Sequence, residues 1–123
     1  MSLQTFAREF VALCNQGKNI DVMRTMYAPD TVSVEGDGKQ TVGQFLHKSE
    51  DWQANNTLHS EKVRGPYFNG PNQFAVQFTF EVTPKATGKR ITLEEVGVYT
   101  VENDKITREQ FYYDGEGFPH GDR

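Results

Sequence analysis

The stretch that decides the fold is residues 74–82, which read FAVQFTFEV. Apolar and polar residues alternate in it without a break, which is the period of a β-strand with one buried face. The nine Phe among the 123 residues also suit a half-buried sheet better than a helical bundle. We therefore predict a long strand whose inward row is Phe74, Val76, Phe78, Phe80 and Val82.

Further strands are predicted on both sides of this stretch. They are residues 58–68, 90–101 and 106–113. Gly65-Pro66 lies inside the first of them and predicts a bulge or a kink there. Asn103-Asp104 separates the last two strands and predicts a hairpin turn. The second half of the chain therefore predicts an antiparallel sheet.

The N-terminal part of the chain predicts helices. Residues 2–16 repeat apolar side chains on one helical face, with Ser2 as the N-cap and Gly17 at the end. Asn19 is predicted to cap a second helix, which Pro29 stops. The inward face of this second helix is predicted to carry Val22, Met23, Met26 and Tyr27.

A short strand and a third helix follow. Residues 31–35 alternate, which places Val32 and Val34 together on one face of a strand. Thr41 with Gln44 three residues later is the pattern of a capping box, which predicts a third helix.

The third helix is predicted to run to about Asn55. Phe45 and Trp52 lie at helical spacing, so both side chains are expected to face the sheet. His47 points away from that face because each residue turns the helix by about 100°. We therefore expect His47 to be exposed or at a subunit contact. Trp52 is expected to face inward, either as part of the core or as a residue that offers its indole N–H to a ligand.

Together these elements predict one α+β domain over residues 1–114, followed by a polar tail over residues 115–123. Three N-terminal helices are expected to pack on a strongly curved antiparallel sheet that encloses an apolar pocket.

The composition excludes several functional classes. A net charge of -4 without a basic stripe argues against nucleic-acid binding. The single Cys14 cannot form an internal disulfide, no signal peptide is seen, and no apolar stretch approaches about 18 residues. We therefore expect a cytoplasmic protein that does not bind membranes. Three scattered histidines and one cysteine have no zinc spacing, so no metal and no cofactor is expected.

The order of the elements resembles the nuclear transport factor 2-like superfamily, a cone-shaped α+β barrel, and within it the SnoaL-like proteins. The resemblance covers about residues 3–114 and implies a pocket between the helices and the sheet. It does not imply one activity, because this fold hosts isomerases, hydrolases, cyclases, dehydratases and binding proteins. The stretches that carry it are residues 10–15, 27–30, 74–82 and 99–106.

The resemblance also implies where the family's catalytic residues would fall. The steroid-isomerase tyrosine falls on Phe10, the general base on Gly36 and the second acid on Gly97, so that activity is not expected. The polyketide-cyclase aspartate falls on Phe111, with Glu109 two residues earlier on the same face. The Asp–Arg–Asp arrangement of the epoxide hydrolases is not found.

The last hairpin leaves two registers open. With a two-residue turn at Asn103-Asp104, the inward-facing residues would be Ile106, Arg108, Gln110 and Tyr112. With a three-residue turn and a bulge, the inward-facing residues would be Thr107, Glu109, Phe111 and Tyr113. We favour the second set because it groups more apolar atoms and agrees with the resemblance.

Two carboxylates, Glu95 and Glu109, then interrupt an otherwise apolar wall. A buried carboxylate is costly unless it is paired or protonated, and full burial can raise its pKa by up to about 3–5 units. Neighbouring carboxylates also push each other's pKa apart, so the two are candidate catalytic acid and base. Whether Glu95 or Glu94 faces inward stays open. The structural alternative is an ion pair with a nearby arginine, or a bond to a nearby tyrosine.

His59 is the third catalytic candidate, because its ordinary pKa is near neutral. The alternative is an edge or surface histidine. The pocket is expected to be lined by the aromatic residues Trp52, Phe78, Phe80, Tyr99, Phe111 and Tyr113.

The sequence therefore predicts a pocket for a small apolar or aromatic molecule. Its activity would be cofactor-free acid–base chemistry of the isomerase, dehydratase or cyclase type. One alternative is a non-catalytic ligand-binding module, with the pocket either open or filled by its own aromatic residues. Another is a homodimer through the sheet, because Val96 and Val98 lie on the face opposite the Phe row.

Overall fold

The structure is a computed structural model that describes residues 1–113. The predicted tail over residues 115–123 lies outside the described residues. The helices are α1 (Leu3–Asn15), α2 (Asn19–Met26) and α3 (Phe45–Asn55). The strands are β1 (Tyr27–Val34), β2 (Gln40–Val42), β3 (Asn56–Asn69), β4 (Gln73–Pro84), β5 (Ile91–Glu102) and β6 (Lys105–Tyr113).

The six strands form one curved sheet in the order β2-β1-β6-β5-β4-β3. The predicted α+β cone is confirmed, but two details of the prediction were wrong. The sheet is mixed, because the connection from β1 through α3 and the four strands β2–β5 brings β6 back parallel to β1. It is also not a closed barrel, since β2 and β3 remain its two edges.

The predicted alternating row of β4 lies at the centre of the core. Its five apolar side chains are between 0% and 7% exposed. Helix α1 packs on this row, with the ring of Phe10 centred 5.3 Å from that of Phe74. Full burial of a Phe side chain contributes about 1.5–3 kcal/mol, so this row anchors the helices to the sheet.

The helix starts were predicted with mixed success. Ser2 caps α1, because its Oγ accepts a hydrogen bond from the backbone N–H of Thr5 at 3.1 Å. Asn19 does not cap α2; its side chain amide donates instead to Glu61 on β3 at 2.9 Å. Helix α2 ends at Met26, so Pro29 lies within β1 rather than at a helix end.

The predicted capping box at Thr41 and Gln44 was wrong. Thr41 belongs to β2, where it pairs with Ser33 of β1. Helix α3 begins at Phe45 after Gly43, whose φ is +68° and whose Cβ would lie 2.8 Å from the carbonyl oxygen of Pro29. The close approach of the chain at Gly43 therefore sets the start of α3, which ends at Asn55 as predicted.

Strand β1 buries two polar side chains that were not identified from the sequence. The residues buried at 1% exposure or less are Thr31 and Ser33, whereas Val32 is only partly buried. The pairing of β1 with β6 shifts register between Tyr27 and Val32. Because the neighbouring inward residue of β6 is Glu109, a polar inner face on β1 can be satisfied there.

The last hairpin combines features of both open registers. Its turn has two residues, since Asn103 and Asp104 both have positive φ and Glu102 pairs with Lys105. The register then shifts, leaving Thr107 as the extra residue of a β-bulge. Ile106 therefore faces inward by the first register, and Glu109 and Phe111 face inward by the second. The predicted bulge at Gly65-Pro66 is also present as a register shift in β3.

Candidate functional site

A cavity of about 180 Å³ lies between the inner face of the sheet and the three helices. Its walls are mainly apolar, with eight aromatic side chains, and the sheet contributes charged groups to them. The aromatic lining residues are Phe10, Tyr27, Phe45, Trp52, Phe78, Phe80, Tyr99 and Phe111. An apolar cavity with a few convergent polar groups is the usual form of a small-molecule site.

Glu109 is the most firmly held polar group of this cavity. It is 4% exposed, and its two carboxylate oxygens accept from two different hydroxyls. The phenol of Tyr27 donates to Oε1, and the hydroxyl of Ser33 donates to Oε2 at 2.6 Å. Because Ser33 lies directly beside Glu109 in the parallel β1–β6 pair, the sheet register itself brings this donor to the carboxylate.

The environment of Tyr27 keeps its phenol protonated. Burial raises the pKa of Tyr27 well above its usual value, and the nearby negative charge of Glu109 raises it further. Both effects disfavour a phenolate. Tyr27 therefore remains a hydrogen-bond donor to Glu109 over the physiological pH range.

Glu95 is the second buried carboxylate of the lining. It is 2% exposed and faces inward, whereas Glu94 is exposed on the outer face. Its strand neighbours are Phe78 on β4 and Tyr113 on β6. Glu109 pairs with Tyr99 instead, four residues from Glu95 along β5. At about 3.4 Å per residue the two backbone positions are offset by about 14 Å along the strands, so Glu95 and Glu109 are not direct cross-strand neighbours, although both line the cavity.

Two polar pairs of the lining were not identified from the sequence. Lys48 of α3 forms an ion pair with the buried carboxylate of Glu35, directly after β1. Asn19 donates to Glu61 at the opposite side of the cavity. The only sequence signal for the first pair was a charged residue directly after an alternating stretch, which ordinarily marks a solvent-exposed turn.

Trp52 contributes both a ring and a polar atom. Its indole lies 6.0 Å from the ring of Phe80, which closes the cavity from the α3 side. The Nε1 atom is buried and donates to no group among residues 1–113. A buried N–H of this kind is a ready donor for the oxygen of a bound molecule.

Gly97 creates space for Tyr99 on the same strand. A Cβ at Gly97 would lie 2.8 Å from both Cε2 and the hydroxyl oxygen of Tyr99. The Tyr99 ring therefore leans along β5 over Gly97, and its edge meets the ring of Phe111 at 6.3 Å. A larger residue at Gly97 would push this ring into the cavity.

The predicted site residues are only partly brought together. Outside the lining, His59 is exposed on β3, where it bonds the hydroxyl of Thr83 at 2.7 Å. Tyr113 is half-buried and covers Gly36, whose Cβ would lie 2.7 Å from the ring. His47 is exposed and pairs with Asp51, as expected. The predicted residues that line the cavity are Trp52, Phe78, Phe80, Glu95, Tyr99, Glu109 and Phe111.

The described part of the chain forms neither a metal-binding cluster nor a membrane-spanning helix. Residues 1–113 hold no group of three or more His, Cys, Asp or Glu side chains that is arranged to bind a metal ion. No helix in this range is long and apolar enough to cross a membrane. Cys14 lines the cavity, and burial raises its pKa, so the thiol stays protonated.

Several proteins of known structure share this fold. A solved protein from Mesorhizobium loti, named as a proposed SnoaL-like polyketide cyclase and as a carbohydrate phosphatase, is 45% identical. The match covers 92% of this chain and 100% of that one, with a TM-score of 0.86.

More distant structures share the fold alone. A proposed polyketide cyclase from Pseudomonas putida is 18% identical, with 95% of each chain covered and a TM-score of 0.73. A protein from Catenulispora acidiphila with a ketosteroid isomerase-like fold, solved with trimethylamine, is 17% identical. That match covers 91% of this chain and 87% of the other, with a TM-score of 0.69. No curated protein matches the chain significantly. Residues 1–113 match the family described as the SnoaL-like domain, and the chain therefore belongs to that family.

Proposed function

We propose that this protein binds a small apolar or aromatic molecule in the cavity and moves a proton on it, with Glu109 as the general base. The reaction would be of the isomerase, dehydratase or cyclase type and would need no cofactor. The observation that carries the proposal is the placement of Glu109, 4% exposed among aromatic rings and held by two hydroxyl donors.

The two donors make Glu109 a positioned base rather than a mobile one. Hydrogen bonds from Tyr27 and Ser33 fix both carboxylate oxygens and stabilise the charged form that must accept a proton. With both hydrogen bonds in place, Glu109 remains part of the cavity lining. A substrate C–H can therefore approach the carboxylate in the cavity.

A carbonyl substrate would need a donor where negative charge develops. The buried Nε1 of Trp52 and the ammonium of Lys48 both belong to the cavity lining and can serve an oxygen of the ligand. A proton would pass from the carbon next to the carbonyl to Glu109, leaving its electron pair in an enolate. From a β,γ-unsaturated ketone, return of that proton to the γ carbon of the dienolate completes an isomerisation. From a β-hydroxy ketone, transfer of the proton from Glu109 to the departing hydroxyl group releases water and completes a dehydration.

Phosphatase activity, which the second name of the Mesorhizobium loti relative indicates for that protein, agrees less well with this cavity. A phosphate monoester carries about two negative charges at neutral pH. Four carboxylates line the cavity and only one ammonium does so, among the described residues. A dianionic substrate would be repelled, so we favour the chemistry of the first name.

The test is deuterium incorporation from D₂O into a panel of small ketones, including β,γ-cyclohexenone, followed by proton NMR. We expect the native protein to speed exchange at the carbon next to the carbonyl. Glu109→Gln should lower this rate by about 10²–10⁴-fold, the usual contribution of a general base. Glu102→Gln, on the exposed end of β5, is the matched control. Equal rates for Glu109→Gln and the native protein would reject Glu109 as the base.

A second candidate function, a homodimeric module, is favoured by the outer face of the sheet. Val96 and Tyr112 are directly paired there, and they are 39% and 53% exposed. Apolar side chains grouped on an open sheet face are typical of subunit contacts. We infer a homodimer through this face, in the cytoplasm, and Val96→Lys should convert it to a monomer. Size-exclusion chromatography with light scattering would decide: a monomeric native protein would end this proposal.

A further inference from the structure

The charges around the cavity are strongly unequal. Its charged lining residues are Glu35, Lys48, Glu61, Glu95 and Glu109, which gives one positive and four negative charges, or a formal sum of -3. Lys48 is paired with Glu35, so its positive charge lies beside that carboxylate. Walls of low dielectric focus such a field into the cavity, where it acts on any bound molecule.

The negative charges raise the pKa of two other lining groups, the thiol of Cys14 and the phenol of Tyr27. The negative charge of Glu61 adds to the effect of burial in raising the pKa of Cys14. Glu109 acts in the same way on Tyr27. These two residues lie on different helix and strand elements, so the negative field extends over the cavity rather than around one carboxylate.

The aromatic rings point to the kind of positive charge that the cavity would accept. Phe78 lies directly beside Glu95 on the neighbouring strand, and its ring is stacked on that of Phe80 at 5.4 Å. The indole of Trp52 completes this group, 6.0 Å from Phe80. Ring faces attract cations, with Trp the strongest, and recognition of quaternary ammonium groups is the main functional use of this attraction.

We propose that the cavity selects an organic cation, an ammonium group on an apolar or aromatic body, bound with its charge between Glu95 and the rings of Phe78, Phe80 and Trp52. The inference rests on the proposed ligand site but not on catalysis there. The carboxylate compensates the loss of water around the ammonium, and the rings bury its alkyl groups. A positive charge on the substrate would also favour removal of a nearby proton by Glu109.

The test uses three probes of the same shape and different charge. Benzyltrimethylammonium is permanently cationic, neopentylbenzene replaces its nitrogen by carbon, and phenylmethanesulfonate is the anion. Binding is measured on the full chain by ligand-observed NMR and titration calorimetry. We expect the cation to bind at least about tenfold more tightly than the neutral probe, a difference of about 1.4 kcal/mol, and the anion not to bind.

Matched variants on one strand locate the charge. Glu95→Gln keeps the shape of the side chain and should weaken binding of the cation about five- to tenfold, with the neutral probe unchanged. Glu94→Gln, exposed on the outer face, should change neither. Because the comparison of the three probes is made first on the native protein, it does not depend on how well a variant folds.

Each outcome is decisive. Equal or tighter binding of neopentylbenzene would overturn the cation preference while leaving the proposed apolar pocket in place. Binding of none of the three probes would overturn this inference, and ketone exchange dependent on Glu109 would still stand by itself. A cation preference that survives Glu95→Gln would contradict the placement of the charge at Glu95.

Discussion

Two walls of the same cavity follow different physical rules. The aromatic wall is the inward row of β4, from which Phe78 and Phe80 line the cavity while Phe74 packs on Phe10 in the core. The polar wall is Tyr27 and Glu109 in the lining together with Ser33, which supports Glu109; these residues come from β1 and β6 and meet through parallel pairing. The aromatic wall is held by burial alone, whereas the polar wall depends on each hydroxyl reaching one carboxylate oxygen.

The difference teaches how this fold separates stability from chemistry. A Phe on the aromatic wall can shift slightly and lose little, because burial has no preferred direction. A donor on the polar wall that shifts by an ångström loses its hydrogen bond and leaves a buried charge less satisfied. We therefore expect variants of the first wall to affect mainly the free energy of unfolding, and variants of the second to affect activity as well.

The largest effect is expected from Phe74→Ala. This ring is 0% exposed and contacts the rings of Phe10 and Tyr99, so its removal should cost about 3–5 kcal/mol of unfolding free energy. Phe68→Ala is the control, because Phe68 lies on β3 directly opposite Phe74 of β4 but its side chain is 41% exposed. It should cost about 1 kcal/mol or less. Urea unfolding measures both, and equal costs would contradict the central role of the aromatic wall.

A smaller stability loss and a clear activity loss are expected from Ser33→Ala. The variant removes one of the two donors to Glu109, and a hydrogen bond to a charged group contributes about 1.5–3 kcal/mol. Ketone exchange should also slow, since the base is less well positioned. Ser60→Ala, exposed on β3, serves as the control in both assays. A Ser33→Ala protein with native stability and native exchange would show that the polar wall does not depend on this bond.

The smallest effect is a change in how stability depends on pH. The folded state raises the pKa of Tyr27, so the stability linked to its protonated form is fully present below the ordinary tyrosine pKa of about 10. It is lost as pH rises above that value, because the unfolded chain then releases a proton that the folded chain keeps. We expect this alkaline loss to be shallower in Tyr27→Phe, by up to about 1.4 kcal/mol per pH unit.

Urea unfolding at several values between about pH 8 and pH 11 measures this slope. Cys14 also has a raised pKa, so the comparison is best made with Cys14→Ala present in both proteins. Identical slopes with and without the Tyr27 hydroxyl would contradict its burial beside Glu109.

The aromatic wall could be predicted from the sequence, but most of the polar wall could not. Alternation over residues 74–82 identified β4, and even spacing through the next turn carried the inward face to Glu95. Tyr27 was predicted to face inward on a helix, and the structure assigns it to a strand. Ser33 was not identified, because the alternation of residues 31–35 was interpreted through Val32 and Val34 alone. A serine carries no signal of its partner until the register of β1 against β6 is known.

The position of Glu109 shows the same limit at one residue. Its inward direction depends on the bulge at Thr107, which follows a two-residue turn rather than a three-residue one. Sequence alone gave two registers, and the choice between them rested on grouping apolar atoms. The bulge combines the two registers, because it turns both Ile106 and Glu109 to the inner side of the sheet. Strict alternation does not allow this outcome.

The most direct test of the central claim is whether a ligand meets Glu109. Carbon-detected NMR of the glutamate carboxyl signals, assigned with Glu109→Gln and Glu94→Gln, can follow addition of β,γ-cyclohexenone. We predict that the Glu109 signal moves with saturating dependence on ligand concentration, while the signal of exposed Glu94 stays in place. Saturable binding that moves other signals and leaves Glu109 unchanged would contradict the account, because the ligand would then lie away from the polar wall.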